Sequence, residues 1–474
     1  MLRLFFREVV IEGAENIPAD RGGLFVAAHP NGLIDPALIL VGCPRHVVFG
    51  ARHGLFDWPV LGPLMRRMGA VPIYRAMDES TLTKAEKLEL NRKSLEGLAG
   101  ALVNGSFSAL FPEGNSHDLP HLIPVKTGAA RLYYQARAQV AVGQPAPAII
   151  PVGLHYDRKN IFRSRVLVVF HPPLDLPADL DCVPDPARLR SAVKNLTERI
   201  AEKLTEVVGS TDDWRLHHLM HRAGKLVRAE MGWRRGKRHE KPDLTEKQLA
   251  YQRIWAGYQA RAETHAEELA GFRSRLSAYD RYLGLLGLRD HELTDLPKLA
   301  SPWLLTLFVG QVVLVYFLFP PLLVLGFLIN IGPYYLLRRV SRRFSAKRKD
   351  EATVKILGGA VLFPLAWIVV ALGAWFAHEE LRSLFPGMPD VWAAVVLVTL
   401  FVSVFGGYLA LIYAELSRQT FRAMRVRATR RRRQALLDKL ISERSFLCNE
   451  LLQLGEGLEL PGERLPDGRL QPAS

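Results

Sequence analysis

The sequence predicts an α/β domain followed by a helical region built to enter a membrane. Three observations lead there. Between residues 1 and 210, short apolar runs alternate with helix-patterned stretches. Farther on, Ile356–Ala377 and Val391–Ala414 hold 22 and 24 residues without a charge. Basic residues crowd at the ends of the uncharged stretches instead of spreading through them.

The first domain is read from its runs. Val9-Val10-Ile11, Leu24–Ala28, Val47–Phe49, Ala70–Tyr74, Phe107–Phe111, Ala148–Val152 and Val166–Phe170 are short and apolar, bounded by Gly, Pro or charge, and read as buried strands. Thr83–Leu102, Ala129–Ala136 and Pro186–Val208 carry helical patterns between them. Strands that alternate with helices imply one central, largely buried sheet spanning residues 1–210.

Residues 211–300 change character, being rich in Arg, Lys, Glu, Ala and Leu with few strand signals. Thr245–Leu286 can be written as one or two long amphipathic helices. Two readings stand side by side: a connector lying on the bilayer surface, or a helical hairpin packed on the first domain.

Residues 301–420 form the membrane region. A span needs about 20 apolar residues, so residues 356–377 and 391–414 each cross singly. Trp303–Leu337 has 35 uncharged residues interrupted by Pro320-Pro321, and its halves predict a broken or re-entrant hairpin over 303–337. Arg338–Lys349 and Arg422–Arg433 each carry seven basic residues and no acid, whereas His378–Asp390 carries three acids and one Arg. The positive-inside rule puts both basic segments in the cytoplasm and the acidic loop outside. With a hairpin first, the first domain and the C-terminus also face the cytoplasm. The opening Met-Leu-Arg-Leu-Phe-Phe-Arg has no signal-peptide core, which agrees. Residues 421–474 read as a basic helix and a disordered tail after Gly455.

Charge and cysteine usage narrow the function classes. The net charge is +15, from 62 basic and 47 acidic residues. The basic clusters flank membrane segments, where anionic lipid attracts them. No aromatic-interleaved basic patch or helix-turn-helix signals nucleic acid. Cys43, Cys182 and Cys448 lie far apart with no CxxC or zinc spacing, which fits a reducing compartment and excludes a disulfide framework.

The chemistry-bearing residues fall in four motifs within the first 155 positions: His29–Asp35, Val71–Arg75, Phe111–Asp118 and Ile149–Leu154. Leu24–Ala28 reads as a strand, Pro30-Asn31-Gly32 as a turn and Leu33–Leu40 as the start of a helix. Such a corner can bring His29 against Asp35. A neutral imidazole can then take a proton while the carboxylate fixes its tautomer. The bland alternative is a histidine closing a turn on backbone groups. Metal ligation is disfavoured, because no second His stands at i+3 or i+4. Glu113 follows a strand and emerges where sheets of this class place ligands, so it can bond acceptor hydroxyls, and Gly114 lets backbone approach. Arg75 ends a strand, and Lys126 precedes a helix in Pro-Val-Lys-Thr-Gly, a seat for an anion. Arg163 and Arg165 add positive charge as further candidate substrate contacts. Each of these cations has a solvated-loop alternative. His117, Asp118 and His155 can pair structurally. Ser116 and Cys43 lack the strained nucleophile elbow, so direct transfer to an acceptor hydroxyl is expected.

Taken as a set and in this order, the motifs resemble the PlsC-like glycerophospholipid acyltransferases. The match covers about residues 5–175. The resemblance implies that family's α/β sheet with flanking helices. It also implies His29 as base, Asp35 as its partner, Arg75 and Glu113 as acceptor-binding residues, and Gly114 as shaping that pocket. Lys126 would hold phosphate, and Ile150-Pro151-Val152 would support the acyl side. No metal and no resident cofactor is implied; acyl-CoA or acyl carrier protein is the co-substrate. One departure is visible: five residues separate His29 from Asp35 where most members have four. The longer spacing, Phe162-Arg-Ser-Arg165 and the membrane region after the domain resemble the fungal glycerol-3-phosphate/dihydroxyacetone-phosphate acyltransferase branch.

The expected activity is therefore acyl transfer from a thioester to glycerol 3-phosphate in phospholipid biosynthesis at a lipid bilayer. Two alternatives remain open. One is a 1-acylglycerol-3-phosphate or lysophospholipid acyltransferase; the other is a non-catalytic lipid-binding membrane protein with an inactive domain.

Overall fold

Gly23–Ala27 has no polar residue and is buried at every position, and it organises the first part of the molecule. A computed structural model describes residues 2–58, 61–74, 83–176, 186–237, 239–294, 302–344 and 351–472. The chain forms two units, residues 1–217 with 347–353 and residues 218–346 with 354–474.

The first unit holds seven strands: β1 (Phe6–Glu12), β2 (Gly23–Ala27), β3 (Val47–Arg52), β4 (Val71–Ile73), β5 (Phe107–Leu110), β6 (Ala148–Tyr156) and β7 (Ser164–Phe170). They lie in one sheet in the order β1-β7-β6-β2-β5-β3-β4. Neighbours are parallel except β6 and β7, which are antiparallel. The helices are α1 (Leu2–Phe5), α2 (Ile34–Gly42), α3 (Leu61–Arg67), α4 (Lys84–Val103), α5 (Gly128–Arg137) and α6 (Pro186–Val208). Thr83 starts α4 with a capping box: its backbone N–H donates to Glu86 Oε2 at 2.7 Å, and its hydroxyl accepts from Glu86 N–H.

The parallel centre needs cover on both faces. On one face Ala130, Leu132 and Tyr133 of α5 and Leu196, Ile200 and Leu204 of α6 pack with Leu98 and Leu102 of α4 against Leu24, Val26 and Ile149. Fully burying each large aliphatic side chain there contributes roughly 1.5–3 kcal/mol. Every strand and helix expected in this domain is present within a few residues.

The second unit starts within α7 (Trp214–Arg234) and continues through α8 (Leu244–Arg261), α9 (Ala266–Leu286) and α10 (Asp290–Thr294). Residues 218–294 pack with α15 (Gln434–Leu454) as the body of this unit. They are thus helices of the second unit, packed among themselves and on α15. Tyr251, Leu276, Tyr279, Leu283 and Leu447 are buried in it. Arg444 is fully buried and bonds Glu230 Oε2 at 2.8 Å and the Asp290 carbonyl at 2.7 Å, while Arg222 pairs with Asp290. Breaking one partner of such a buried pair costs about 3–5 kcal/mol.

Between α10 and α15 run α11 (Pro302–Val313), a π-helical turn (Leu314–Leu318), α12 (Phe319–Phe344), α13 (Glu351–Leu384) and α14 (Trp392–Arg432). Among the described residues, three helical segments, Leu323–Arg343, Glu351–Leu384 and Trp392–Arg432, are long and apolar enough to cross a membrane. The hairpin expected over 303–337 is not formed. Gln311 meets Thr420, Tyr316 meets Ser417, Gly326 meets Gly406 and Asn330 meets Ser403. The pairing falls steadily on one side as it rises on the other, so residues 302–344 run in one direction, antiparallel to α14. The π turn accounts for this. It widens the helix just before Pro320-Pro321, whose nitrogens cannot serve the carbonyls one turn earlier.

This register also revises the charge argument. Arg338–Arg343 continue α12 toward the N-terminal end of α14, so the two basic clusters sit at opposite ends of the helix pair. Glu292 in α10, just before α11, bonds Arg422 at 2.7 and 2.8 Å. Entry into the apolar helices and exit from them therefore lie together.

Residues 456–472 hold regular structure, contrary to the expected disorder after Gly455. Glu463–Arg464 and Leu470–Gln471 form a two-stranded hairpin. Arg253 donates to the carbonyls of Leu460, Pro461 and Gly462, and Lys237 and Arg469 both bond the buried Asp467 carboxylate. Backbone acceptors have no sequence signature, which is why the proline content misled.

Candidate active site

Three neighbouring strands, β5, β2 and β6, end on the same edge of the sheet and deliver the site. Past β2 the chain turns at Pro30-Asn31-Gly32, and the Asn31 carbonyl accepts from Ile34 and Asp35 N–H at 3.0 and 3.3 Å, opening α2. The corner returns Asp35 to His29. His29 Nδ1 lies 2.9 Å from Asp35 Oδ2, and the same oxygen accepts from Asn31 N–H at 2.7 Å. The Tyr156 hydroxyl, at the end of β6, donates to Asp35 Oδ1.

Asp35 is completely buried. Its carboxylate is surrounded by donors, which is the condition for keeping a buried charge. An ionised carboxylate accepts only, so Nδ1 carries the imidazole proton and Nε2 presents its lone pair. Phe111 stacks on the His29 ring at 4.1 Å and 16°, fixing the ring plane. Burial beside Asp35 pushes the Tyr156 phenol well above its ordinary range, so it stays a donor.

Glu113 follows β5 and is 1% exposed. Its Oε2 accepts from His29 N–H at 2.8 Å, and its Oε1 accepts from Ile123 N–H at 3.2 Å and lies 2.6 Å from His117 Nε2. His117 N–H in turn donates to the His29 carbonyl at 3.1 Å. The carboxylate expected to bond acceptor hydroxyls is thus engaged by protein donors. It braces the histidine loop from behind.

Gly114 has φ +72°, and a methyl group on it would lie 2.7 Å from Lys126 Nζ. Only glycine allows this turn with the lysine folded over it. Lys126 N–H bonds the Pro112 carbonyl at 2.8 Å, and the exposed lysine stands just before α5. His29, Asp35, Glu113, Gly114 and Lys126 therefore lie together beyond the ends of β2 and β5. Arg75 lies outside the described residues. Arg165 is 6% exposed and lies 3.7 Å from Asp157 and 3.8 Å from Glu8. Arg163 is exposed on the loop between β6 and β7. Among the described residues, no group of three or more His, Cys, Asp or Glu could hold a metal ion.

Residues 8–155 match the family profile described as Acyltransferase. The first unit is an acyltransferase-family domain. Residues 236–458 match a second profile, the Glycerol-3-phosphate acyltransferase 2 C-terminal domain. Three curated relatives are similar to the chain. An uncharacterized acyltransferase of Schizosaccharomyces pombe is 23% identical, covering 79% of this chain and 65% of its own length. Glycerol-3-phosphate O-acyltransferase 2 of Saccharomyces cerevisiae is 27% identical over 61% of this chain and 37% of its own length. Glycerol-3-phosphate O-acyltransferase 1 of that yeast is 24% identical over 74% and 46%. The chain thus spans between 37% and 65% of the length of these relatives. Among solved structures, the 1-acyl-sn-glycerophosphate acyltransferase PlsC of Thermotoga maritima matches at 22% identity with a TM-score of 0.28, covering 42% of this chain and 73% of that one.

Within the acyltransferase domain, sequence reasoning missed two supports. Tyr156 stands two and four residues beyond Leu154 and Val152, on the same side of β6, so extending the Ile149–Leu154 motif by one period would have reached it. Lys159 bonds the Pro30 carbonyl at 2.9 Å and Asp118 at 2.6 Å. Nothing local in the sequence pointed to that pairing across 129 residues.

Proposed function

We propose that this protein transfers a fatty acyl group from an acyl thioester to the hydroxyl of glycerol 3-phosphate, for glycerolipid synthesis. The observation that carries the reading is the contact of His29 Nδ1 with buried Asp35 at 2.9 Å, with Glu113 bonded to the same histidine's backbone. The two yeast glycerol-3-phosphate O-acyltransferases among its relatives support the choice of acceptor.

In this reading His29 Nε2 takes the acceptor's hydroxyl proton as the oxygen attacks the thioester carbonyl. A C–O bond forms, the C–S bond breaks, and the imidazolium returns its proton to the departing thiolate. Asp35 stabilises the imidazolium, and Tyr156 and Asn31 N–H hold Asp35. Glu113 acts as a positioning residue for His29. Lys126 at the start of α5 receives the acceptor phosphate with Arg75. Transfer is direct: Cys43 is buried, and burial pushes its thiol up, which disfavours the nucleophilic thiolate. The donor is acyl-CoA or acyl carrier protein, and no resident cofactor takes part. We place the catalytic unit on the cytoplasmic side, where such donors are.

The test is the purified full chain in mixed micelles with labelled acyl-CoA, offered glycerol 3-phosphate and lysophosphatidate side by side. Acylation of glycerol 3-phosphate is expected. Acylation of lysophosphatidate alone overturns the acceptor, and a folded chain that acylates neither supports the lipid-binding alternative.

A further inference from the structure

The loop from Asp157 to Arg163 between β6 and β7 holds charges and apolar side chains that the histidine site does not use. Ile161 and Phe162 are 46% and 45% exposed. Arg158 and Arg163, on either side of them, are also exposed. Arg163 has φ +59°, a left-handed conformation uncommon outside glycine. Its N–H is bonded to the Phe5 carbonyl at 2.6 Å, and the Phe162 ring packs edge-on against Phe5 at 5.8 Å. This ties the loop to the N-terminal segment, which adds exposed Arg3 and Arg7.

The nearby acids do not cancel these charges. Glu8 and Asp157 face Arg165, and Asp118 pairs with Lys159. Among the described residues, no carboxylate pairs with Arg3, Arg7, Arg158 or Arg163. The patch also adjoins the histidine site, because Lys159 of the same loop bonds the Pro30 carbonyl next to His29.

We propose that this patch is a docking surface for an anionic lipid bilayer, with Ile161 and Phe162 entering the headgroup boundary and the four arginines against lipid phosphates. The pairing of exposed apolar tips with cations that lack protein partners is the charge and hydrophobic complement of such a surface. Docking here sets the His29 loop near the boundary where a lipid-soluble tail and a water-soluble headgroup meet.

The test places an environment-sensitive fluorophore at Ile161→Cys in the full chain, in a Cys182→Ser background, since Cys43 and Cys448 are buried. The control is Val142→Cys, at a fully exposed position in the loop before β6, at the opposite end of that strand. The chain is reconstituted in vesicles of phosphatidylcholine with increasing phosphatidylglycerol, including a brominated lipid as quencher. The probe at position 161 is expected to be quenched more than the probe at 142, and increasingly so with phosphatidylglycerol. Adding Arg158→Gln and Arg163→Asn, the latter tolerant of the left-handed backbone, should weaken docking ~25-fold, at roughly fivefold per arginine. Quenching at 161 should then fall to the level at 142. Equal quenching at the two positions, or quenching at 161 that ignores phosphatidylglycerol, overturns the proposal. The readout needs no turnover, so its outcome is separate from that of the acyl-transfer reading.

Discussion

Replacing Asp35 with Asn tests the base at its most constrained point. Asp35 accepts from Asn31 N–H at 2.7 Å, from His29 Nδ1 at 2.9 Å and from the Tyr156 hydroxyl. The Asn31 amide can only donate, so an asparagine must turn its oxygen there. Its NH2 group then faces Tyr156, whose hydroxyl can rotate to accept. The neutral oxygen stabilises an imidazolium far less than a carboxylate does. If the amide turns the other way, His29 must present a bare Nδ1 and carry its proton on Nε2, where it cannot serve as base. Both outcomes remove general-base help, which is worth about 10²–10⁴ in rate. At about 1.4 kcal/mol per decade that is ~3–5 kcal/mol of transition-state stabilisation. The variant should therefore lose about 10²–10⁴ in kcat, with KM for glycerol 3-phosphate changing only a few-fold, because Asp35 is buried away from the acceptor. The assay is initial-rate acylation with labelled acyl-CoA in mixed micelles, with thermal unfolding of both proteins to confirm that the variant is folded. A folded Asp35→Asn enzyme whose kcat stays within about threefold of the parent would refute the His29–Asp35 mechanism, since so little loss is less than a tenth of the smallest general-base effect.

Two further outcomes are expected. Gly114→Ala puts a methyl group 2.7 Å from Lys126 Nζ at φ +72°. The lysine must swing away and the backbone strains by about 1–2 kcal/mol, so KM for glycerol 3-phosphate should rise more than kcat falls; an unchanged KM removes Lys126 from the phosphate site. His155, a half-buried residue whose Nε2 is shielded from water and which has His171 and His217 nearby, has its pKa pushed down to about 3, mainly by desolvation. The folded state therefore binds fewer protons than the unfolded state below an unfolded pKa near 6.5. Its stabilising neutrality is fully present above that pH and is lost as pH falls, by about 2 kcal/mol at pH 5. His155→Gln should flatten the fall in thermal stability between pH 7 and pH 5, and an identical slope in both proteins rules His155 out as the cause.

How much was legible depends on the range of each interaction. The strands and helices of the first unit were read correctly because their signals are local: apolar runs of three to five residues bounded by Gly, Pro or charge, with helical patterns between them. The His29–Asp35 pair was legible for the same reason, being set by one turn whose residues, Pro30-Asn31-Gly32, can be named in advance. Glu113 stands beside the histidine at a strand end as its sequence position implied, but its bonds to His117 and Ile123 were not legible, because they come through a loop no pattern describes. The tail and the hairpin failed differently. Proline content spoke for disorder after Gly455, and for a reversal at Pro320-Pro321. Arg253, Asp467 and a π-helical turn, respectively, decided otherwise.

By itself the sequence determined which segments become strand, helix or apolar span, and which residue types stand at the ends of β2, β5 and β6. Those depend on the hydrophobic period and on turn chemistry, which act over a few residues at a time. Only the tertiary structure decided that Tyr156 donates to Asp35 across 121 positions, that Glu113 faces inward, and that residues 302–344 run one way along α14. Contacts of that kind are selected by the closing of the whole sheet or bundle, where every buried donor must find an acceptor at once, and no short stretch of chain carries that condition.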